Sequence, residues 1–454
     1  MLTRAAHALG GLRVWVRAFC ISFSAILPVA GVRVRARPPR HVGSGQRPLR
    51  RPPPTVPPGG PGGPAPGAAG VEVHAVRFTG TGGGYFRVWI VNLVLMILSF
   101  GFYTPWARRR TARWFYDHTE VAGSPLEFAA PMRRMVFGFL VFAGLYVAYE
   151  IASRTGQDVV AFTMLAAGVA LAPLVWQGAM RFRLAATRWR GLQLHFAATR
   201  PEVYRASWPL AAIGAIWAAV VAAGMALDTD DAAERAAHLV PLGAAGLVAL
   251  IASALLYVRL EYGYRRLLFE RGGLGDVAGR FKPGFGAYLR VSLIAGGAWA
   301  AIAVALGVGV FLLVGPPGDD PAAPAGPAVA MAAAVGILVA LLAVAACAVP
   351  LYAWREASLF ALVWNGAGLG RIVRTQCTLS AARFTRMRVA NVLLTVVTLG
   401  LWRPFARVRE YRMKVESVRL HVRGGLDSVT GRLQAHGAGV GDMLADAAGL
   451  DLIG

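Results

Sequence analysis

The sequence predicts an all-α polytopic membrane protein, and three observations carry that expectation. Six long apolar runs punctuate the chain. Charge is scarce and mostly positive, and the positive charge falls in every second connecting segment. About six full transmembrane helices in three hairpins are expected, plus two short repeat-related membrane segments, so the span count lies between six and eight. Short extended pieces are expected in the cytoplasmic loops.

The 454 residues are 56% hydrophobic and 15% charged, whereas soluble domains carry about a quarter charged residues. Net charge is +24, and Lys282 and Lys414 are the only lysines. Such a balance suits nucleic acid, an anionic membrane or cytoplasmic loops of a membrane protein. Long uncharged apolar runs serve no purpose in a nucleic-acid binder, so no nucleic-acid partner is expected. Cys20, Cys347 and Cys377 are far apart, which argues against a metal cluster or a disulfide framework.

Residues 1–70 differ from the rest. Arg35–Arg51 is basic and Pro52–Gly70 is nearly all Pro, Gly and Ala, a composition expected to stay disordered. The polytopic domain is placed at 71–423 and a cytoplasmic tail at 424–454. The six runs are Met135–Ile151, Val159–Trp176, Trp208–Leu227, Leu239–Val258, Leu289–Val314 and Ala328–Leu351. Each approaches or exceeds the roughly 20 residues that cross a bilayer core. Their tips carry Arg154 with Asp158, then Asp228, Asp230, Asp231 and Glu234 with Arg235, then Asp319 and Asp320. The segments between hairpins carry the arginines, which the positive-inside rule places in the cytoplasm together with both termini.

Two shorter runs, Val88–Tyr103 and Val389–Trp402, align without a gap: Asn92 with Asn391, Leu95 with Leu394, Gly101 with Gly400, Pro105 with Pro404. The internal repeat covers 85–118 and 384–417. At 1.5 Å per residue these runs reach only ~21–24 Å. Re-entrant or interfacial placement keeps every basic segment inside; two short tilted spans are the alternative. A second repeat sets Thr119, Gly123 and Phe128 against Thr187, Gly191 and Phe196. A tyrosine follows a phenylalanine in Phe78…Tyr85, Phe196…Tyr204 and Phe281…Tyr288. Gly80–Gly84 reads as a flexible lead-in. Pro105, Pro173 and Pro350 read as residues near helix ends.

The stretches Phe78–Gly123 and Asn391–Met413 resemble the YjgN-like family of bacterial inner-membrane proteins. The resemblance rests on Phe78, Gly80, Gly82, Tyr85, Phe86, Asn92, Gly101, Tyr103, Pro105, Trp106, Ala107, Thr119 and Gly123, and on the closing stretch Gly441–Gly454. It extends over about Val71 to Gly454; the first 70 residues depart from it. It implies an inner-membrane location and, since that family has no assigned function, supplies no catalytic or ligand-binding residues.

No catalytic constellation, HExxH pair or phosphate-binding loop is legible, so no enzyme, cofactor or metal site is expected. Glu150 and Glu261 lie near run ends and read as interfacial. Asn92 and Asn391 form a candidate polar pair at membrane depth, either facing a shared cavity or, the preferred reading, bonding locally as packing glue. Trp106, Arg108, Arg109, Arg110, Arg407 and Arg409 are candidate interfacial or anionic-lipid contacts on the cytoplasmic side. The leading functional expectation is a transporter or channel-like protein of unidentified substrate. The alternative is a membrane scaffold that binds lipids or partners through its basic loops.

Overall fold

The computed structural model of the protein describes residues 70–227, 231–275, 277–314 and 327–424. Apart from Gly70 and Gly424, the expected extension and tail lie outside these residues, as do the acidic tip residues Asp228, Asp230, Asp319 and Asp320.

The chain is mostly helical, and its elements fall into five modules of one pattern, strand–helix–helix–strand. The first is β1 (Val71–Phe78), α1 (Gly82–Leu98), α2 (Thr104–Asp117) and β2 (Thr119–Val121). After the two-residue β3 (Ser124–Pro125), the second is β4 (Glu127–Phe128), α3 (Met132–Arg154), α4 (Asp158–Ala185) and β5 (Thr187–Trp189). The third is β6 (Leu192–Phe196), α5 (Arg200–Ala226), α6 (Ala232–Arg271) and β7 (Gly272–Leu274). The fourth is β8 (Val277–Phe281), α7 (Phe285–Val314), α8 (Pro327–Gly366) and β9 (Ala367–Leu369). The fifth is β10 (Val373–Cys377), α9 (Ala381–Val397), α10 (Arg403–Glu416) and β11 (Val418–Arg423).

Every module closes on itself in the same register. The last residue of its first strand pairs with the first residue of its second: Phe78 with Thr119, Phe128 with Thr187, Phe196 with Gly272, Phe281 with Ala367, Cys377 with Val418. Each helical hairpin therefore leaves and returns at one place. Turns join one module to the next. In the first two, both central residues have positive φ: Ala122 (+50°) with Gly123 (+74°), and Arg190 (+46°) with Gly191 (+84°). That backbone matches the twist of a tight hairpin, and glycine adopts it at no steric cost. Thr119 and Thr187 open β2 and β5, and their hydroxyls donate one turn back to Phe115 O (2.7 Å) and Arg183 O (2.8 Å).

The extended pieces join into one antiparallel sheet of eleven strands, ordered β3-β2-β1-β11-β10-β9-β8-β7-β6-β5-β4. Its two edges, β3 and β4, are separated in the chain by Leu126 alone, so the sheet closes into a ring. The seam is further tied by Trp189 Nε1 donating to Val121 O (3.2 Å) and by Arg190 donating to Ser124 Oγ (2.8 Å) and Ala122 O (3.1 Å). A closed ring has no unpaired edge for another chain to extend.

The ring is filled. Val76, Val121, Leu126, Val415 and Val418 pack beneath Tyr116, Phe360, Trp364 and Tyr411 from α2, α8 and α10. At the turn end, Leu192 and Val422 pack with Ala122, Trp189, Leu274, Val277, Ile372 and Val373. Those eight residues come from all four inter-module turns and from β11. Their convergence makes the ring a core with side chains inside, like other small barrels.

All helices leave from the other edge of the ring. Six, α3 to α8, are long and apolar enough to cross a membrane. Their apolar stretches are almost wholly unburied within the chain, as surfaces facing lipid would be. The helices overrun the apolar runs on the ring side, α6 to Arg271 and α8 to Gly366. Pro173 and Pro350 consequently lie inside α4 and α8, not near their ends. Pro105 does sit at the start of α2.

Two smaller expectations also change. Gly80–Gly84 is a packing site, not a flexible lead-in: a Cβ on Gly80 would lie 2.5 Å from the Phe78 ring and one on Gly82 2.6 Å from the Phe405 ring. Thr81 caps α1 by accepting from Gly84 N (3.2 Å). In the aromatic repeat, Tyr85, Val203, Tyr288 and Phe384 hold the equivalent places, seven residues past the first strand, and are 0–1% exposed. Tyr204 points outward and donates to Ala170 O (3.0 Å), so Val203 takes the buried position in the third module.

Candidate functional site

The first and fifth modules differ from the other three. Their helices α1 and α9 have 17 residues each, and α2 and α10 have 14. Because β1 pairs with β11, these modules are neighbours, and α1 packs on α10. Each hairpin ends in the same apex. Gly101 N bonds Met96 O (2.8 Å) and Gly400 N bonds Thr395 O (2.7 Å). Ser99 Oγ and Thr398 Oγ1 accept from Tyr103 N and Trp402 N, both at 2.9 Å. Phe100 and Leu399 sit at positive φ, +49° and +48°, and are 94% and 95% exposed. A bulky residue held in the left-handed region costs energy. Both apices hold one there and point it outward, with Leu98, Phe102, Val397 and Leu401 exposed around it. Each hairpin thus has an apolar tip on a basic stem.

Asn92 and Asn391 are 3% and 1% exposed. Each bonds within its own hairpin. Asn92 Nδ2 donates to Ala107 O and Thr111 Oγ1, both at 3.4 Å. Asn391 Oδ1 accepts from Arg409 (3.3 Å) and Trp402 Nε1 (3.5 Å). These are long bonds, and Asn92 Oδ1 and Asn391 Nδ2 are buried without a partner. The amides tie α1 to α2 and α9 to α10; no hydrogen bond joins one to the other among the described residues.

Beside the first apex, α2 forms an open groove of about 370 Å³ lined by Tyr103, Trp106, Arg109, Arg110, Arg113 and Trp114, with Val88, Asp117 and Met132. Trp106 stacks on Tyr103 (centroids 6.0 Å, 11° between planes) and Trp114 on His118 (4.5 Å). Arg109 buries its Nε without a partner. The sequence-derived contacts Trp106, Arg109 and Arg110 meet here, joined by Arg113. Arg108 is exposed and lies outside the groove, within electrostatic reach of Arg183. In the fifth module the equivalent cations serve the protein instead. Arg407 donates to Tyr85 Oη (3.3 Å) and covers the Phe115 ring (5.4 Å), while Arg409 holds Asn391. Three cations, two indoles and a phenol around one groove can hold a phosphate beside apolar chains.

A second polar assembly escaped the sequence reading. Glu261 on α6 accepts from Arg265 (2.7 Å) and from Arg355 on α8 (2.5 Å). Arg355 Nε also donates to Ser292 Oγ on α7 (3.2 Å). Next along α8, Glu356 pairs with Arg388 of α9 (2.5 Å) and Lys414 of α10, and Arg388 reaches Glu410 (3.5 Å). Lys414 Nζ lies over the Phe384 ring (5.1 Å) and Arg388 over Tyr352 (5.7 Å). Glu261 is therefore a buried bridge between helices. Glu150 pairs with the exposed Arg154. The available signal was positional: Glu261 and Glu356 each stand eleven residues before the strand that follows their helix. Every carboxylate in this assembly has a cation, so its evident work is to lock α6 to α10 above the ring. Outside the spans, burial holds the Glu410 carboxyl above its ordinary range, against the pull of Arg388 and Lys414.

A strand ring bearing six membrane-length helices and two short hairpins defines a multi-pass membrane protein. The family model described as "Bacterial protein of unknown function (DUF898)" matches residues 73–447, and the chain belongs to that family. The resemblance to YjgN-like proteins holds as well. The chain is 25% identical to the inner membrane protein YjgN of Escherichia coli O157:H7 over 134 residues, 30% of this chain and 34% of that protein. With the Salmonella typhimurium YjgN it shares 24% identity over 140 residues, 31% of this chain and 35% of that protein. Over a shorter stretch of 78 residues it is 33% identical to YjgN of E. coli K12, covering 17% and 20% of the two chains. The first two matches thus span about a third of the length of those relatives. No solved structure matches the chain.

Proposed function

We propose that the chain is a non-enzymatic inner-membrane scaffold that seats its strand ring against the cytoplasmic face and engages anionic lipid head groups through α2. The observation that carries this reading is the groove of Arg109, Arg110 and Arg113 among Trp106, Tyr103 and Trp114 along the stem of an apolar-tipped hairpin. Basic residues near an anionic surface contribute about 1 kcal/mol each. The inner-membrane location is taken from the names of the relatives, and the orientation from the positive-inside rule.

In this reading α3 to α8 make six spans, with both termini inside. The short hairpins dip into one leaflet and return. The register of each module supports this, since a full crossing by α1 or α9 would oblige α2 or α10 to cross back. Those helices carry Arg108, Arg109, Arg110 and Arg113, or Arg403, Arg407, Arg409 and Arg412. Charged residues at the bilayer centre are expensive. The transporter reading draws on the repeat-related short segments, but a filled ring and amides bonded inside their own hairpins lend it no path.

Two measurements test the proposal. Lipids co-purifying with the protein should be enriched in anionic species. Changing Arg109, Arg110 and Arg113 to Gln should cut that enrichment, by about fivefold per arginine at 1 kcal/mol each; undiminished enrichment would refute the groove. For the topology, Phe100→Cys and Leu399→Cys in a chain lacking Cys20, Cys347 and Cys377 should resist a membrane-impermeant maleimide outside intact cells. Thr155→Cys, at the tip between α3 and α4, should react. External labelling of either apex overturns the six-span arrangement.

A further inference from the structure

On the outer wall of the ring, sharing no residue with the α2 groove, a second cleft of about 270 Å³ is lined by Arg280, Lys282, Arg371, Arg374 and Arg423. No carboxylate lines it, and all five cations are exposed. None of them carries an ion pair among the described residues. Like charges gathered this way repel one another and cost the free protein stability, so an anion bound among them would relieve a standing penalty.

The strand register shows how the cleft is built. Gly368 of β9 pairs with Arg280 of β8 on one side and with Arg374 of β10 on the other. Cross-strand neighbours stand about 5 Å apart, so two guanidinium side chains flank a strand position that has no side chain. Glycine is required there: a Cβ on Gly368 would lie 2.7 Å from Val373 O. One on Gly366 would lie 2.4 Å from the Pro283 ring, and Gly370 has φ +53°. The floor is thus bare backbone between basic walls. Asn365 at its rim accepts from Cys377 N (2.7 Å), which leaves its N–H pair to face a ligand. Planar guanidinium groups on either side of an open backbone suit the tetrahedral oxygens of phosphate.

We propose that this notch binds a phosphate-bearing small anion free in the cytoplasm, with a diphosphate group as its recognised element. One feature separates it from a lipid site. Although Lys282 and Asn365 stand at the helix edge of the ring, Arg371 and Arg423 stand at the turn edge, opposite the edge from which the helices leave. A five-residue strand is about 17 Å long, which sets that edge well away from any head-group plane at the helices. The cytoplasmic source rests on the orientation proposed above, but binding in detergent does not.

The test is calorimetric titration of the full chain, in a zwitterionic detergent, with inorganic diphosphate. The result expected is saturable binding that weakens with salt, and that falls about tenfold or more in Arg280→Gln/Arg374→Gln, since a hydrogen bond to a charged group contributes about 1.5–3 kcal/mol. Arg280→Lys/Arg374→Lys should fall between the two and guards against a folding defect. Arg109→Gln/Arg110→Gln, which alters the other groove, should bind as the wild type does. Absence of diphosphate binding, or equal affinity in the Arg280→Gln/Arg374→Gln chain, overturns the proposal. In a second arm the protein is placed in nanodiscs with or without anionic phospholipid. Unchanged diphosphate affinity supports a free ligand; abolition by the anionic lipid overturns it in favour of a head group.

Discussion

Replacing Glu356 by Gln removes the one carboxylate that joins α8 to both helices of the fifth module. Glu356 contacts Arg388 (2.5 Å) and Lys414, and the three side chains are only 13%, 24% and 11% exposed. Breaking a buried pair by deleting one partner costs about 3–5 kcal/mol, because a desolvated charge is left behind. Here Arg388 keeps Glu410 at 3.5 Å, whereas Lys414 loses its one ion-paired carboxylate among the described residues and keeps Glu410 at longer range. We therefore expect the lower end, about 3 kcal/mol. The comparison variant is Glu150→Gln, whose partner Arg154 is 82% exposed; an exposed i,i+4 pair contributes about 0.3–0.5 kcal/mol. Lys414→Met in the Glu356→Gln background should recover part of the loss by removing the stranded cation. Reversible unfolding in mixed micelles, followed by tryptophan fluorescence, measures all four chains. A loss in Glu356→Gln no larger than in Glu150→Gln would refute the assignment of this assembly as the clamp between modules.

Two further outcomes follow from packing and charge. Gly83 has open space where a Cβ would go, but at Gly82 the Phe405 ring, stacked on Phe86 (5.5 Å) and Trp402 (5.1 Å), stands 2.6 Å away. Gly83→Ala should stabilise by about 0.5–1 kcal/mol and Gly82→Ala should destabilise; equal melting temperatures would sink the packing account of Gly80–Gly84. Burial raises the folded-state pKa of Glu410 above its ordinary 4.5, so this group favours the folded state below about that pH and loses that contribution as pH rises through the folded-state value. The melting temperature of Glu410→Gln should gain on the wild type from pH 4.5 to pH 7.5, and a narrowing difference would contradict it.

The sequence by itself determined the membrane part. A bilayer core requires about 20 apolar residues in succession, and that requirement is written locally, so all six runs could be read as helices. The repeat of 85–118 in 384–417 was also local, and it located both short hairpins with Asn92, Asn391 and the arginines of α2. The apolar runs stopped short of the ring, however. Ring-side turns of α6 and α8 carry charges such as Glu261 and Glu356 that are affordable only beside cations from other helices. Arg265 is a neighbour in sequence; Arg355, Arg388 and Lys414 are not.

Tertiary structure alone decided the ring. Its strands are two to eight residues long, too short for an alternating pattern to stand out, and their partners lie across whole hairpins or across the entire chain, as Val71 does from Arg423. Closure depends on β1 meeting β11 and on one residue, Leu126, carrying the chain from one sheet edge to the other. Those are properties of distance in space. They also decide the candidate sites: the same closure fills the ring, brings the two short hairpins side by side, and sets Arg280 and Arg374 on either side of Gly368.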